Sequence, residues 1–116
     1  MTKAYEIPGF RFTETSHGDI KQFAGVKITS NGVEQADAEE KIDGIAQMPA
    51  DSDKNEAITI MYGGISFAVA SESISKGDEV EVAADGKFAT QDSGETVGKA
   101  MVEAGGDGEE FCVLIY

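Results

Sequence analysis

Ala57-Ile58-Thr59-Ile60-Met61-Tyr62-Gly63-Gly64-Ile65-Ser66-Phe67-Ala68-Val69-Ala70 is the stretch on which the fold turns. The run Ala57–Tyr62 is rich in β-branched and apolar residues and reads as a well-buried strand. Gly63-Gly64 supplies a bulge or bend. Ile65–Ala70 then alternates apolar and small polar residues as a second strand. Outward from it, similar signals recur. Gly25-Val26-Lys27-Ile28-Thr29 alternates and meets Ser30-Asn31-Gly32, where Asn-Gly supports a tight hairpin turn. Lys41–Gln47, Val80–Ala83, Thr96–Val102 and Phe111–Tyr116 are further strand candidates. Ser75–Glu79, Ala84-Asp85-Gly86-Lys87 and Gly105-Gly106-Asp107-Gly108 are turns between them. Helical signal is thin. Glu34–Lys41 has room for one or two turns, and Ala70–Ser75 for one.

A shift of 54 residues lays Val26–Tyr62 on Val80–Tyr116 without a gap. Val26/Val80, Gly32/Gly86, Gly44/Gly98, Ala46/Ala100, Ala50/Ala104 and Tyr62/Tyr116 are identical pairs. Each copy reads strand, Gly-containing turn, short strand, polar turn, apolar strand. Neither copy buries an apolar face alone, so the two are expected to pack together. The expected fold is all-β, with at most one or two short helical segments. It is a compact sandwich or barrel of two pseudo-repeats, 26–62 and 80–116, with an extended N-terminal arm. Residues 1–19 form that arm and residues 20–116 a single β-rich domain. Phe10-Arg11-Phe12-Thr13-Glu14 alternates, so the arm has a second reading as an edge strand.

The chain has 116 residues, with 22 Asp+Glu against 9 Lys+Arg and a net charge of −13. One domain of this length is typical. The apolar fraction of 41% is enough for a small core. The chain has no run of about 18 apolar residues, so no membrane span is expected. The first residues lack the apolar core of an export signal, and assembly inside the cell is expected. Phosphate-backbone binding needs clustered cations, so neither nucleic acid nor membrane is an expected partner.

Little here resembles catalytic machinery. Cys112 is the single cysteine, in an apolar run far from His17, the single histidine, so it reads as a buried, inert thiol. His17 reads as an exposed turn residue. Acidic pairs such as Glu39-Glu40 and Glu109-Glu110 are expected by composition and read as solvated faces. Asp51-Ser52-Asp53-Lys54-Asn55-Glu56 begins like a calcium loop. Its sixth residue is Glu56 where Gly is needed, and its twelfth is Tyr62 where a bidentate Glu is needed. No phosphate-binding glycine loop and no nucleophile elbow are present. No catalytic residue, metal ligand or cofactor is therefore assigned, and an enzyme is not expected. Tyr5, Ile7, Phe10 and Phe12 remain, either as a staple onto the domain's own core or as anchors in a partner.

The ordered series Gly25–Val33, Lys41–Gln47, Ala57–Ile65, Ile74–Val80, Ala84–Lys87, Val97–Ala100 and Glu110–Ile115 resembles the bacteriophage capsid decoration, or cement, proteins. The resemblance covers residues 20–116 and leaves the arm outside it. It implies a structural virion protein on the outer surface of the phage head, fastening neighbouring major capsid proteins. It implies a homotrimer at local three-fold positions, assembled in the host cytoplasm, with no catalytic site. In lambda-type members an N-terminal arm adds to a capsid strand. Tyr5, Ile7, Phe10 and Phe12 are the corresponding candidates here. The competing expectation is a β-rich binding module for carbohydrate or metal within a larger assembly.

Overall fold

The computed structural model describes residues 6, 7, 9–51 and 56–116. Among these residues ten strands form two antiparallel sheets of five. β1 (Phe10–Thr15), β2 (Gly25–Thr29), β3 (Gly32–Gln35), β4 (Gly44–Ala46) and β5 (Ala57–Tyr62) make the first, in the order β1-β5-β4-β2-β3. β6 (Ile65–Val69), β7 (Glu79–Val82), β8 (Phe88–Thr90), β9 (Gly98–Ala100) and β10 (Glu110–Ile115) make the second, in the order β6-β10-β9-β7-β8. The fold is all-β. The single helical piece among the described residues is a 3-10 turn, Ala84–Gly86. Glu34 and Gln35, placed by sequence at the start of a helical turn, instead continue β3. The hairpin after β2 brings Lys27 opposite Glu34 and Val26 opposite Gln35, and ladder pairing replaces local helix bonds.

The second sheet follows the first strand for strand. Val26 faces Gly44 as Val80 faces Gly98. The Ile20–Ala50 bridge recurs as Ile74–Ala104. β1, inside the segment read as an arm, is an edge strand of the first sheet and the counterpart of β6. The 54-residue offset holds for β1/β6, β2/β7 and β4/β9 but not throughout. The turn between β7 and β8 holds one residue more than that between β2 and β3, because Val82 pairs with Phe88 whereas Ile28 pairs with Val33. In the last strand Ile60, opposite Ala46, corresponds to Val113, opposite Ala100, an offset of one residue less. Tyr62 therefore corresponds to Ile115 and not to Tyr116.

Each sheet curls until its edge strands touch. Ser16, after β1, bridges Val33 in β3, and Ala70, after β6, bridges Phe88 in β8. The curl gives each copy its own interior. Ile20, Val26, Val33, Ala46, Ala50, Ile58 and Ile60 are buried together in the first. Their counterparts Ile74, Val80, Phe88, Ala100, Ala104, Phe111 and Val113 are all buried in the larger cluster of the second. That cluster also takes in Ala36, Ile45 and Met61 from the first copy. So the outer face of the first sheet docks on the second copy.

This docking explains where the repeat diverges. Gly25, Ile45 and Met61 form one cross-strand row, buried against the second copy. The equivalent row is Glu79, Lys99 and Leu114, which has no third copy to cover it. Glu79 and Lys99 are exposed there. Burying Ile45 and Met61 contributes about 1.5–3 kcal/mol each. Polar and aromatic contacts tie the same joint. Gln47 Nε2 donates to Ser66 Oγ at 3.0 Å, the Phe23 and Phe67 rings lie 5.3 Å apart, and Lys41 lies 3.7 Å from Glu95.

Candidate functional site

β1 presents a short apolar row at the edge of an acidic molecule. Its alternation puts Phe10, Phe12 and Glu14 on one face and Arg11, Thr13 and Thr15 on the other. Pairing with β5 sets Phe10 opposite Tyr62 and Phe12 opposite Ile60. The Phe10 and Tyr62 rings stack at 5.3 Å and 21°, and Phe12 meets the Tyr62 ring edge-on at 5.7 Å. Phe12 is half-buried and packs against the first core. Phe10 is 69% exposed and Tyr62 44%. The row Ile58, Ile60, Tyr62 thus carries the core out to the surface. Aromatic pairs of this geometry contribute about 0.5–1.5 kcal/mol beyond area burial.

Ile7 is 54% exposed and pairs with Ile65 of the second sheet, through reciprocal main-chain bonds of 2.9 Å. Arg11 forms an ion pair with Glu6 beside it. Tyr5 lies outside the described residues. Of the four candidates, the structure brings Phe10 and Phe12 together and holds Ile7 on the neighbouring sheet. Tyr62 was not among them. Nothing in its own strand marks it, because its partnership with Phe10 depends on the register between β1 and β5.

The remaining candidates form no chemistry. His17 is exposed, donating its main-chain N–H to Val33 O, while Cys112 is buried in β10. Among the described residues no three of His, Cys, Asp and Glu are grouped to hold a metal ion. Residues 52–55 of the calcium-like stretch lie outside the described residues. A shallow cavity of about 390 Å³ is lined by Ser73–Lys76 and Val102–Gly105, with no histidine in its wall. Glu81, a buried acid, is spent on structure, since its carboxylate accepts the main-chain N–H groups of Asp92 and Gly94. Lys27 and Glu40 pair at 2.7 Å. The hydrogen bond between them raises the Lys27 pKa and lowers that of Glu40. Lys87 and Asp107 do the same at 2.9 Å. What the surface offers is a set of exposed rings beside the edge strand β1.

Comparison with known proteins places the chain in a family and a fold. No curated protein matches the chain. Among solved structures, the chain is similar to the N base of head fiber gp8.5 in bacteriophage phi29, with a TM-score of 0.74 and 20% identity. The match covers 92% of this chain and 93% of that one, and at this identity it speaks for the fold. Residues 8–115 match the family described as phage cement protein. The match takes in β1 as well as both sheets, and the chain belongs to the phage cement protein family.

Proposed function

We propose that this protein binds the outer surface of a phage head and fastens neighbouring major capsid protein subunits. In this reading residues 1–19 form the capsid-facing segment, with Tyr5, Ile7, Phe10 and Phe12 as its anchors, and residues 20–116 the rigid body. Three copies gather at each local three-fold position, after assembly in the host cytoplasm, and the protein performs no catalysis. The observation that carries it is the exposed stack of Phe10 on Tyr62 beside Phe12. Monomeric proteins bury such rings or use them, and aromatic residues are enriched where interfaces are strongest. Two curled sheets with a shared joint supply the stiffness a clamp needs. Many copies on one shell make modest contacts collectively strong. The charge of −13 keeps free protein soluble and away from nucleic acid.

The test is co-sedimentation with expanded heads, comparing the wild type with Phe10→Ala. Phe10 is mostly exposed, so the fold survives its loss. Binding should weaken by about tenfold or more if the ring is an anchor. Equal occupancy by the variant would remove Phe10 from the contact, and no sedimentation of either would sink the capsid reading.

A further inference from the structure

The turns after β2 and β7 are packed differently. In the second copy Asp85-Gly86 lies in the joint. Gly86 is buried, and a Cβ there would stand 2.6 Å from Ala24 Cβ and 3.0 Å from Gln35 Cγ. In the first copy the tip Ser30-Asn31 projects into water, and both residues are exposed. The residue after Asn31 has to be glycine. Gly32 has a φ of +126°, and a Cβ on it would lie 2.6 Å from Thr15 O. Among the described residues, Asn31 is held through its main-chain N–H, which donates to Thr29 Oγ1 at 3.2 Å. Its carboxamide is left to turn onto the nitrogen of Gly32.

We infer that Asn31-Gly32 is a self-modification site, at which the chain deamidates without an enzyme. The Gly32 main-chain nitrogen attacks Asn31 Cγ and forms a new C–N bond. Its proton passes through water to the side-chain amide nitrogen, which leaves as ammonia. A five-membered succinimide remains. Water then opens the ring at either carbonyl, giving aspartate or isoaspartate at position 31. No oxidant or cofactor takes part. Thr29 and Gly32 form the terminal rung of the β2–β3 ladder. The nitrogen is freed when that rung frays, so the reaction is slow and acts as a clock. Glycine at 32 leaves the attack unhindered, whereas Asn55, the other asparagine, is followed by Glu56. Each event takes the charge from −13 to −13 − 1 = −14. The isoaspartate branch also adds a carbon to the main chain inside the hairpin. Gly32 has no slack there, since Thr15 O presses on it and Val33, the next residue, is buried and bridges Ser16. That bridge closes the curl of the first sheet at the end of β1. The ageing mark therefore loosens the strand that carries Phe10 and Phe12. The modification does not depend on the cement role, but its effect on head binding does.

Mass spectrometry of the purified protein, aged at mildly alkaline pH and then digested with trypsin, tests this. The peptide 28–41 contains Asn31 and no other asparagine. It should gain the mass difference between –NH2 and –OH and split into two chromatographic peaks, one of them a substrate for an isoaspartyl methyltransferase. The peptide holding Asn55 should change far more slowly. Asn31→Gln should abolish the change, because its ring would need six members. Protein held in urea is the control for the unprotected chain. If the urea sample converts while the folded sample keeps peptide 28–41 intact, the hairpin protects the bond and the inference is wrong. The separated isoaspartate form should melt below Asn31→Asp, which carries the same charge without the extra main-chain carbon. Equal melting would overturn the loosening of β1. Aged protein should also occupy expanded heads less fully than fresh protein. If it converts and melts lower, yet fresh protein never sediments with heads, the cement role fails and the modification site stands.

Discussion

Gly44→Ala and Gly98→Ala should both destabilise the protein, for one geometric reason. These glycines hold equivalent places in β4 and β9, each pressed against the last strand of its copy. A Cβ on Gly44 would lie 2.6 Å from Ile60 Cγ2 and 2.7 Å from Met61 O. On Gly98 it would lie 2.5 Å from both Leu114 O and Val113 Cγ1. A carbonyl within a ladder cannot rotate away, so the strands must part. Inserting a methyl into a packed core costs about 1–3 kcal/mol, and a main-chain obstacle puts these sites in the upper half. The lower entropy of alanine in the unfolded chain returns about 0.5–1 kcal/mol. The net loss is about 1–2.5 kcal/mol, or a fall of roughly 4–10 °C in Tm for a domain of this size. Thermal melting followed by near-ultraviolet circular dichroism measures it. Gly106→Ala is the control, since nothing lies within 4 Å of a Cβ there. It should melt at or slightly above the wild type. If Gly98→Ala melted with the wild type, close approach would not be why glycine stands at both positions.

Ser16→Ala should raise stability by about 1 kcal/mol in denaturant titration. Ser16 is buried and its hydroxyl has no partner among the described residues, while Ala70 fills the equivalent place in the second copy. Glu81→Ala should cost about 2 kcal/mol and speed proteolysis within residues 92–95, as the N–H groups of Asp92 and Gly94 lose their acceptor. Unchanged cleavage would mean that the loop is held by other contacts. The Lys27–Glu40 pair sets a pH window. Glu40 has a lowered pKa, so its contribution is present above the unfolded value of 4.5 and fades as pH falls through the folded one. Lys27 has a raised pKa, so its contribution is full below 10.5 and fades as pH rises through the folded value. The Tm difference between wild type and Lys27→Ala should therefore be small at neutral pH and vanish once acid has protonated Glu40, or in about 1 M salt.

The strands legible in the chain are those whose burial repeats along it. β2, β5, β6 and β10 were readable because alternation or an apolar run marks them. β3 was not, since Glu34 and Gln35 are as suited to a helix as to a strand, and the hairpin alone decides between them. The offset in the last strand was hidden as well. Tyr62 and Tyr116 match in sequence, while the ladder partners Ala46 and Ala100 set the register one residue away. Phe10 and Phe12 stood out by composition, but Tyr62, which completes their cluster, belongs to a strand about 50 residues on.

The sequence by itself determined the all-β class, the two-copy plan and the absence of familiar catalytic spacing. Those follow from local periodicity, glycine placement and residue type, which need no knowledge of distant neighbours. Tertiary structure decided the rest. It made residues 10–15 an edge strand, because their ladder partners, Ala57–Tyr62 of β5, are distant in sequence. It gave each copy its own curled interior and buried Gly25, Ile45 and Met61 while leaving Glu79 and Lys99 in water. It also paired Ile65 with Ile7 at an edge where, among the described residues, the equivalent Arg11 has no strand partner. Such differences between near-identical copies come from what each is packed against, and packing is a property of the folded whole.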